Sequence, residues 1–409
     1  MDSFRFMKGI NYWPASKAMY WWKAFDLDEV EADFRKLHRF HLNLVRIFLS
    51  WEDFQPQPDR ISPTKLENLK RLADLAYHLD MQLMPTYFCG HMSGVNWIPK
   101  WMLDDAPTAQ LFPLYANGRL QLASIRNYYI DEAMLEAQLL QVRKISQSLA
   151  GHPAIFAYDL GNESSNCLVP PDRSQAQNWL KQLCQEIRQA SPTSLITLGM
   201  HAEDLEEDRH LWPQDAALFC DFLCMHGYPF YLSWVEDHHD YQLLPFLGII
   251  TRWLGGKAVL FQEFGAPTQS QMRSVHKQHG HSTSSDQLWT EDELAKYYQQ
   301  ALPALQQAGM LGAMAWCFAD YHACLWNKPP LQDNPHERHF GLFRADGSAK
   351  MAVQVWQDFA ADISLEPELQ SGQNHPLWLK DFYPDQFYEH PQENLARLFR
   401  LYKNSLERK

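Results

Sequence analysis

The sequence predicts an α/β fold, a (β/α)8 TIM barrel with enlarged βα loops and a C-terminal extension, on three observations. Short apolar, β-branched or aromatic runs alternate eight times with longer amphipathic stretches. The runs are apolar throughout rather than at every second residue, the pattern of parallel strands covered by helices. Eight such units in about 360 residues suit a closed barrel, whereas a doubly wound sheet needs a glycine-rich first turn, which Gly9-Ile10-Asn11 does not supply.

The elements follow in order. Phe6 to Trp13 reads as a strand, and Leu27 to Phe40 as a helix with Val30, Phe34 and Leu37 on one face. Leu42 to Leu49 is the second strand, and Lys65 to Leu79 a helix with Leu66, Leu69, Leu72, Ala73 and Ala76 aligned. Met81 to Phe88 is the third strand. A long connection with Pro99, Pro107 and Pro113 leads to a helix from Tyr128 to Leu149. Ala154 to Leu160 and Leu195 to Met200 are strands four and five, separated by a helix from Ser174 to Ala190. A polar, acidic loop follows strand five. Phe222 to His226, Ala258 to Gln262 and Leu311 to Phe318 complete the strands, with helices from Tyr241 to Leu254, Glu291 to Ala308 and Lys350 to Phe359. The barrel is expected over residues 1–365. Residues 366–409 carry Pro367, Pro376, Pro384 and Pro391 before a helical run from Gln392 to Leu406, and are expected to pack on the barrel surface. The segment from Gln269 to Gln287, with His276, His279 and His281, lacks acidic or Cys partners at ligand spacing and reads as a loop over the cleft rather than a metal site.

Composition narrows the function. The chain is 46% hydrophobic and 21% charged, as in soluble globular proteins, and its net charge of −13 repels nucleic-acid phosphates. No apolar run approaches the length of a membrane span. The first six residues have no apolar signal-type core, and none of the seven cysteines forms a CxxC pair. Cys220 and Cys224 fit two reduced thiols on one strand, so a cytoplasmic location is the expectation. Aromatic residues make up 13% of the chain, with 15 Trp. Flat rings of this kind stack on the apolar faces of sugars.

In a (β/α)8 barrel the chemistry sits at the C-terminal ends of the strands. There the sequence places Arg46, His91, Asn162-Glu163, His226-Gly227-Tyr228, Glu263 and Trp316. Two glutamates ending apolar strands are costly to bury without a purpose. Strands four and seven lie on opposite sides of the mouth, so Glu163 and Glu263 face each other. Retaining glycoside hydrolysis needs such a pair, one carboxylic acid to protonate the leaving oxygen and one carboxylate to attack the anomeric carbon. Arg46 and Tyr228 are expected to hold Glu263 ionised as nucleophile. Glu163, away from that cation, is expected to keep its proton as general acid/base, steered by His226. Asn162 is expected to bond a sugar 2-hydroxyl, and Trp316 to floor the subsite. Singly, each of these features is ordinary core polarity. Their joint occurrence on successive strand ends is not.

This set resembles glycoside hydrolase family 5 of clan A, over roughly residues 6 to 360. The resemblance implies a (β/α)8 barrel, net retention, no cofactor or metal, and the roles given above for Glu163 and Glu263. Gly90-His91-Met92-Ser93-Gly94, Asn96-Trp97 and Pro99-x-Trp101 are similar to mannan-active members, and His339 to Ser348 is similar to a segment of exo-acting clan A enzymes. Long connections after strands three and eight are expected to wall off a pocket, with Trp97 and Trp326 as substrate-binding rings and Trp13, Trp51, Trp101 and Glu52 as further candidates. The sequence thus points to an exo-β-mannosidase acting on manno-oligosaccharides or other β-glycosides. The alternatives are an endo-β-mannanase, a β-glucosidase or β-galactosidase, a transglycosylase, or a non-catalytic sugar-binding barrel.

Overall fold

The computed structural model describes residues 6–104, 110–269, 288–361 and 376–407. Eight strands form one parallel sheet: β1 (Met7–Asn11), β2 (Leu44–Phe48), β3 (Gln82–Phe88), β4 (Ala157–Asn162), β5 (Leu195–Gly199), β6 (Leu223–His226), β7 (Val259–Phe264) and β8 (Gly312–Ala315). Their order is β5-β4-β3-β2-β1-β8-β7-β6. The two end strands close the cylinder. Asp221 N donates to Ile196 O and His226 N to Met200 O, both at 2.8 Å, and a parallel bridge joins His201 to His226.

The principal helices are α1 (Leu27–Arg39), α2 (Pro63–His78), α3 (Glu132–Ser148), α4 (Arg173–Ala190), α5 (Pro213–Phe219), α6 (Leu243–Gly255), α7 (Glu291–Gln307) and α8 (Met351–Asp358), followed by α9 (Pro391–Leu406). Their starts are set locally by side-chain caps. Asp26, Asp131 and Asp172 accept bonds from first-turn N–H groups, and Thr290 and Glu293 form a reciprocal capping box.

Strand periodicity stacks the barrel lumen in two layers. Leu44, Met84, Ala157, Cys224, Leu260 and Met314 belong to a small apolar cluster near the strand starts. Two residues further along, the same faces carry Arg46, Thr86, Asp159, His226 and Gln262, all buried. An apolar plug therefore supports a polar layer directly beneath the mouth. Register shifts occur between Asp159 and Asn162, between Met225 and His226, and between Phe261 and Phe264. Such irregularities re-aim strand-end side chains, and these three precede or contain Glu163, His226 and Glu263.

The structure departs from expectation in three places. The segment after β5 is not only a loop, because it contains α5. Its seven residues are too few to show a helical period, and it is Pro213 at the first turn and Asp215, bonded back to Trp212 N at 3.1 Å, that fix its start. The connection after β3 is a small sheet of its own, with strands at His91–Met92, Val95–Trp97, Leu114–Ala116 and Arg119–Gln121. Strand β8 ends at Ala315, and a cis Trp316–Cys317 peptide follows it. The histidines at 276, 279 and 281 lie outside the described residues, as does the proposed boundary near 365.

Helix α9 buries Leu395, Leu398, Phe399 and Tyr402. It stacks Phe399 against Phe246 of α6 at 5.0 Å, and Tyr402 Oη donates to Gln242 at 2.7 Å. The buried Lys350 joins three segments. Its Nζ donates to Thr268 Oγ1 at 2.8 Å, Asp320 Oδ1 at 2.7 Å and His339 O at 3.1 Å. Removing this cation strands the carboxylate of Asp320. Lys350→Ala should cost about 3–5 kcal/mol, read as a lower urea midpoint, with a loss that shrinks at acidic pH as Asp320 takes up a proton.

Candidate active site

The polar layer is organised by Arg46, which is fully buried. Its Nε donates to Thr86 Oγ1 and Asp159 Oδ2, both at 3.0 Å. Nη2 donates to Asp159 Oδ2 at 2.6 Å and Asn162 Oδ1 at 2.9 Å, and Nη1 donates to Asn11 Oδ1 at 3.2 Å and to Glu263 Oε1. The close approach of Gly199 is required here, since a Cβ at this position would lie 2.8 Å from Arg46 Nη2 and from Gly161 O. Asp159 escaped the sequence reading. Its signal was a charged residue within Ala157-Tyr158-Asp159-Leu160, one position before the expected strand end.

Glu163 and Glu263 face each other as expected. Each offers a carboxylate oxygen, and His226 a ring nitrogen, all within 4.8 Å of one another. Tyr228 Oη donates to Glu263 Oε2 at 3.0 Å. His226 Nδ1 lies 2.9 Å from Glu163 Oε1 and 3.6 Å from Glu263 Oε2. The tautomer of His226 follows from its other side. Gln262 Nε2 donates to Asp159 Oδ2 at 3.2 Å, so Gln262 Oε1 faces His226 Nε2 at 2.8 Å and accepts its proton. Nδ1 and Glu163 Oε1 therefore hold one further proton between them, on either the imidazole or the carboxyl. Glu163 takes a left-handed backbone conformation, φ 48° and ψ 50°, which is strained for a residue with a side chain and recurs at functional sites. Its Oε2 accepts from Asn166 Nδ2 at 3.1 Å.

The proton distribution differs from the one expected. Burial raises Glu163, but His201, His226 and His91 outweigh it and hold this carboxyl well below the usual range. Burial raises Glu263 further than His226, Arg46 and Tyr228 lower it. Two features invisible in the sequence cause the reversal. Arg46 divides its charge between Asp159 and Glu263, and His201 joins the histidines around Glu163. Burial opposes charge on His201, but Asp204, Glu163 and Glu203 push it up to about 10. With one proton on the pair, the two tautomers carry the same charge, so moving it from one glutamate to the other requires only a transfer within the site.

The two glutamates line a cavity of about 410 Å³, together with His91, Asn162, His226, Tyr228 and Trp316. That size is typical of small-ligand pockets. His91 sits with Nδ1 2.8 Å from Asn96 Oδ1 and Nε2 3.9 Å from Glu163. Asn162 has both amide ends engaged, since Nδ2 donates to His91 O at 2.8 Å. One N–H remains to meet a substrate. The cavity also takes in Phe112, Asn166, His201, Glu203, Tyr231, His336 and Glu337, most of which lie in loops where sequence periodicity carries no signal.

Several expected subsite rings are not in the lining. Trp97 donates to Met92 O at 3.2 Å and packs on Tyr115, and Trp326 donates to Tyr321 O at 3.0 Å beneath Arg338. Trp13 stacks on Phe48, Trp51 is buried, and Trp101 donates to Gln55 O. Glu52 accepts from Asn117 N at 2.9 Å. Trp97, Trp101 and Trp326 brace the walls with their indole N–H groups spent on backbone oxygens, and Trp51 donates to Gln55 Oε1. Among the described residues, Glu163, His226 and Glu263 are the group whose donor atoms come close enough to share a cation. Arg46 beside Glu263, and the proton held between Glu163 and His226, oppose one.

A glycoside hydrolase family 42 model, described as beta-galactosidase, matches residues 19–193. No curated protein sequence matches. Among solved structures, an exo-beta-1,4-mannosidase from Opitutaceae bacterium strain TAV5 is 27% identical with a TM-score of 0.70, over 88% of this chain and 61% of that one. A GH5_18 protein from Streptomyces cattleya, in complex with Manb1-4GlcNAc, is 21% identical with a TM-score of 0.71 over 87% of this chain and 79% of that one. A GH5_18 protein from Bifidobacterium longum subsp. longum ATCC 55813 is 18% identical with a TM-score of 0.72 over 96% and 95%. The two GH5_18 likenesses bear on the barrel fold alone. The chain spans about three-fifths of the length of the Opitutaceae mannosidase.

The raised carboxyl of Glu263 has a measurable consequence. A folded-state pKa above the unfolded one means that ionisation destabilises the fold, and that this cost is absent at low pH and grows as pH rises. Glu263→Gln keeps an acceptor for Arg46 without the charge. It should melt above the wild type at pH 8, with a gap that narrows as pH falls through the raised pKa. A melting temperature below the wild type at pH 8 sinks this account.

Proposed function

We propose that the chain is a retaining β-glycosidase that releases terminal β-mannosyl residues from manno-oligosaccharides or other β-mannosides. The observation that supports retention is that one oxygen of each carboxylate lies within 4.8 Å of the other. Retaining enzymes hold their carboxyl groups about 5–5.5 Å apart, and inverting enzymes leave room for a water between them. In the first step Glu263 attacks the anomeric carbon, oriented by Arg46 and Tyr228, while Glu163 delivers a proton to the leaving oxygen. In the second, Glu163 takes a proton from water, which attacks the glycosyl–enzyme bond and frees Glu263. His226, 2.9 Å from Glu163 Oε1, orients that carboxyl in both steps.

The choice of sugar rests on the Opitutaceae exo-beta-1,4-mannosidase and on the Manb1-4GlcNAc bound by the Streptomyces neighbour. Terminal release fits a cavity walled by the connections after β3 and β8. A β-galactosidase is the second reading, favoured by the family 42 match to residues 19–193.

A panel of p-nitrophenyl β-mannoside, β-galactoside, β-glucoside and β-xyloside decides between them. The β-mannoside should give the highest kcat/KM, and inactivity on all four overturns the proposal. Glu163→Ala and Glu263→Ala should each lower kcat on natural substrate about 10²–10⁴-fold or more. Azide should restore activity on the aryl glycoside in both, with a β-glycosyl azide from Glu163→Ala and an α-glycosyl azide from Glu263→Ala. The reverse pairing would exchange the two roles.

A further inference from the structure

Glu337 is a third carboxylate in the cavity wall, and the double displacement has no use for it. It lies in the turn Pro335–His339 of the connection after β8 and is 8% exposed. Glu263 is paired with Arg46, and Glu163 is surrounded by imidazoles. Among the described residues no lysine or arginine pairs with Glu337. Its nearest cationic candidate is His336, whose Nε2 is 3.5 Å from Oε1, and burial lowers that imidazole toward its neutral form. A carboxylate kept in a wall without a counter-cation is costly to the fold, and such groups cluster at functional sites.

Its placement is built rather than incidental. Ser93 Oγ donates to Glu337 Oε2 at 2.9 Å, and Asn334 Nδ2 donates to Ser93 O at 3.0 Å, so the loops after β3 and β8 are tied to each other. Gly94 lets them meet. A Cβ there would stand 2.9 Å from Asn334 Nδ2, on a backbone with φ +74°. Burial pushes Glu337 up to about 7, and the charge of Glu263 acts on it more than that of Glu163. Glu337 lines the same cavity as Tyr228, which bonds Glu263, and Trp316, which bonds Glu337 itself.

We infer that Glu337 is a specificity-determining residue, accepting hydrogen bonds from hydroxyls of the terminal sugar. Ser93 donates to Oε2 and Trp316 also bonds this carboxyl, but a carboxylate offers about four lone-pair sites, so acceptor capacity remains on a group that lines the cavity. A fixed carboxylate oxygen selects sugars that present a hydroxyl at that point and disfavours those that do not. The inference rests on the glycosidase reading above.

The test is a series of monodeoxy aryl glycosides of whichever sugar the panel favours, assayed with wild type and Glu337→Ala. Wild type should lose about 10- to 150-fold in kcat/KM on the analogue lacking the hydroxyl that Glu337 bonds, as expected for a hydrogen bond to a charged group. In Glu337→Ala the parent substrate should drop by a similar factor, and that one analogue should no longer be penalised relative to it. The penalties for the other deoxy positions should stay. Should the alanine variant not fold, Glu337→Gln, which retains the shape and the bond to Ser93, should show a smaller loss at the same hydroxyl. An unchanged deoxy profile in an active variant overturns this inference alone. Wild-type inactivity on every β-glycoside overturns the underlying function as well.

Discussion

The buried guanidinium of Arg46 is the interaction on which the rest of the site depends. Its donors reach side chains from β1, β3, β4 and β7 while its own backbone lies in β2. A lysine could not do this, since a point charge on a flexible stem lacks the planar fork that meets several acceptors at once. The arginine also fixes the charge of the layer. It faces two carboxylates, Asp159 and Glu263, so its single charge is divided between them and burial keeps the Glu263 carboxyl raised. The imidazoles are grouped around Glu163 instead and hold its carboxyl low.

This arrangement explains why the two catalytic candidates differ electrostatically although both are glutamates at strand ends. Glu263 is held by a cation already shared with Asp159 and is the more deeply buried, its side chain 4% exposed against 14% for Glu163. Glu163 sits on a strained left-handed residue, bonded to His226 on one oxygen and Asn166 on the other. Its position is over-determined by neighbours rather than by its own backbone preference, as at other sites where strain persists. Gln262 passes the order of the lower layer upward. It is bonded to Asp159 below and to His226 above, so the tautomer of the histidine that serves Glu163 is set by the partner of Arg46. The two halves of the chemistry are connected through one amide.

The loops add selectivity to that rigid base. The tie between Ser93, Asn334 and Glu337 joins segments more than 240 positions apart in the chain. Lys350 anchors the same connection from behind through His339 O. The wall is thus held by a few polar contacts on a barrel whose own strands need no such support.

Much of the barrel was legible in the chain itself. Eight apolar runs alternating with amphipathic stretches reflect local periodicity, and a parallel sheet buried on both faces imposes that pattern wherever it forms. The strand-end rule then placed Arg46, Asn162, Glu163, His226, Tyr228, Glu263 and Trp316 around one mouth, and the structure brings them together there. Other features only the tertiary structure decided. Helix α5 was too short to leave a period, and Trp97 and Trp326 became wall supports because their N–H groups found oxygens in the loops. His201 and Glu337 entered the cavity from connections whose path no periodicity records. The proton preference of the two glutamates also reversed, because a pKa depends on every charge within reach and on depth of burial. The sequence determined which strands exist and what chemistry ends them. The fold decided the neighbours of each charge, because burial and electrostatic partners are long-range properties that local sequence does not carry.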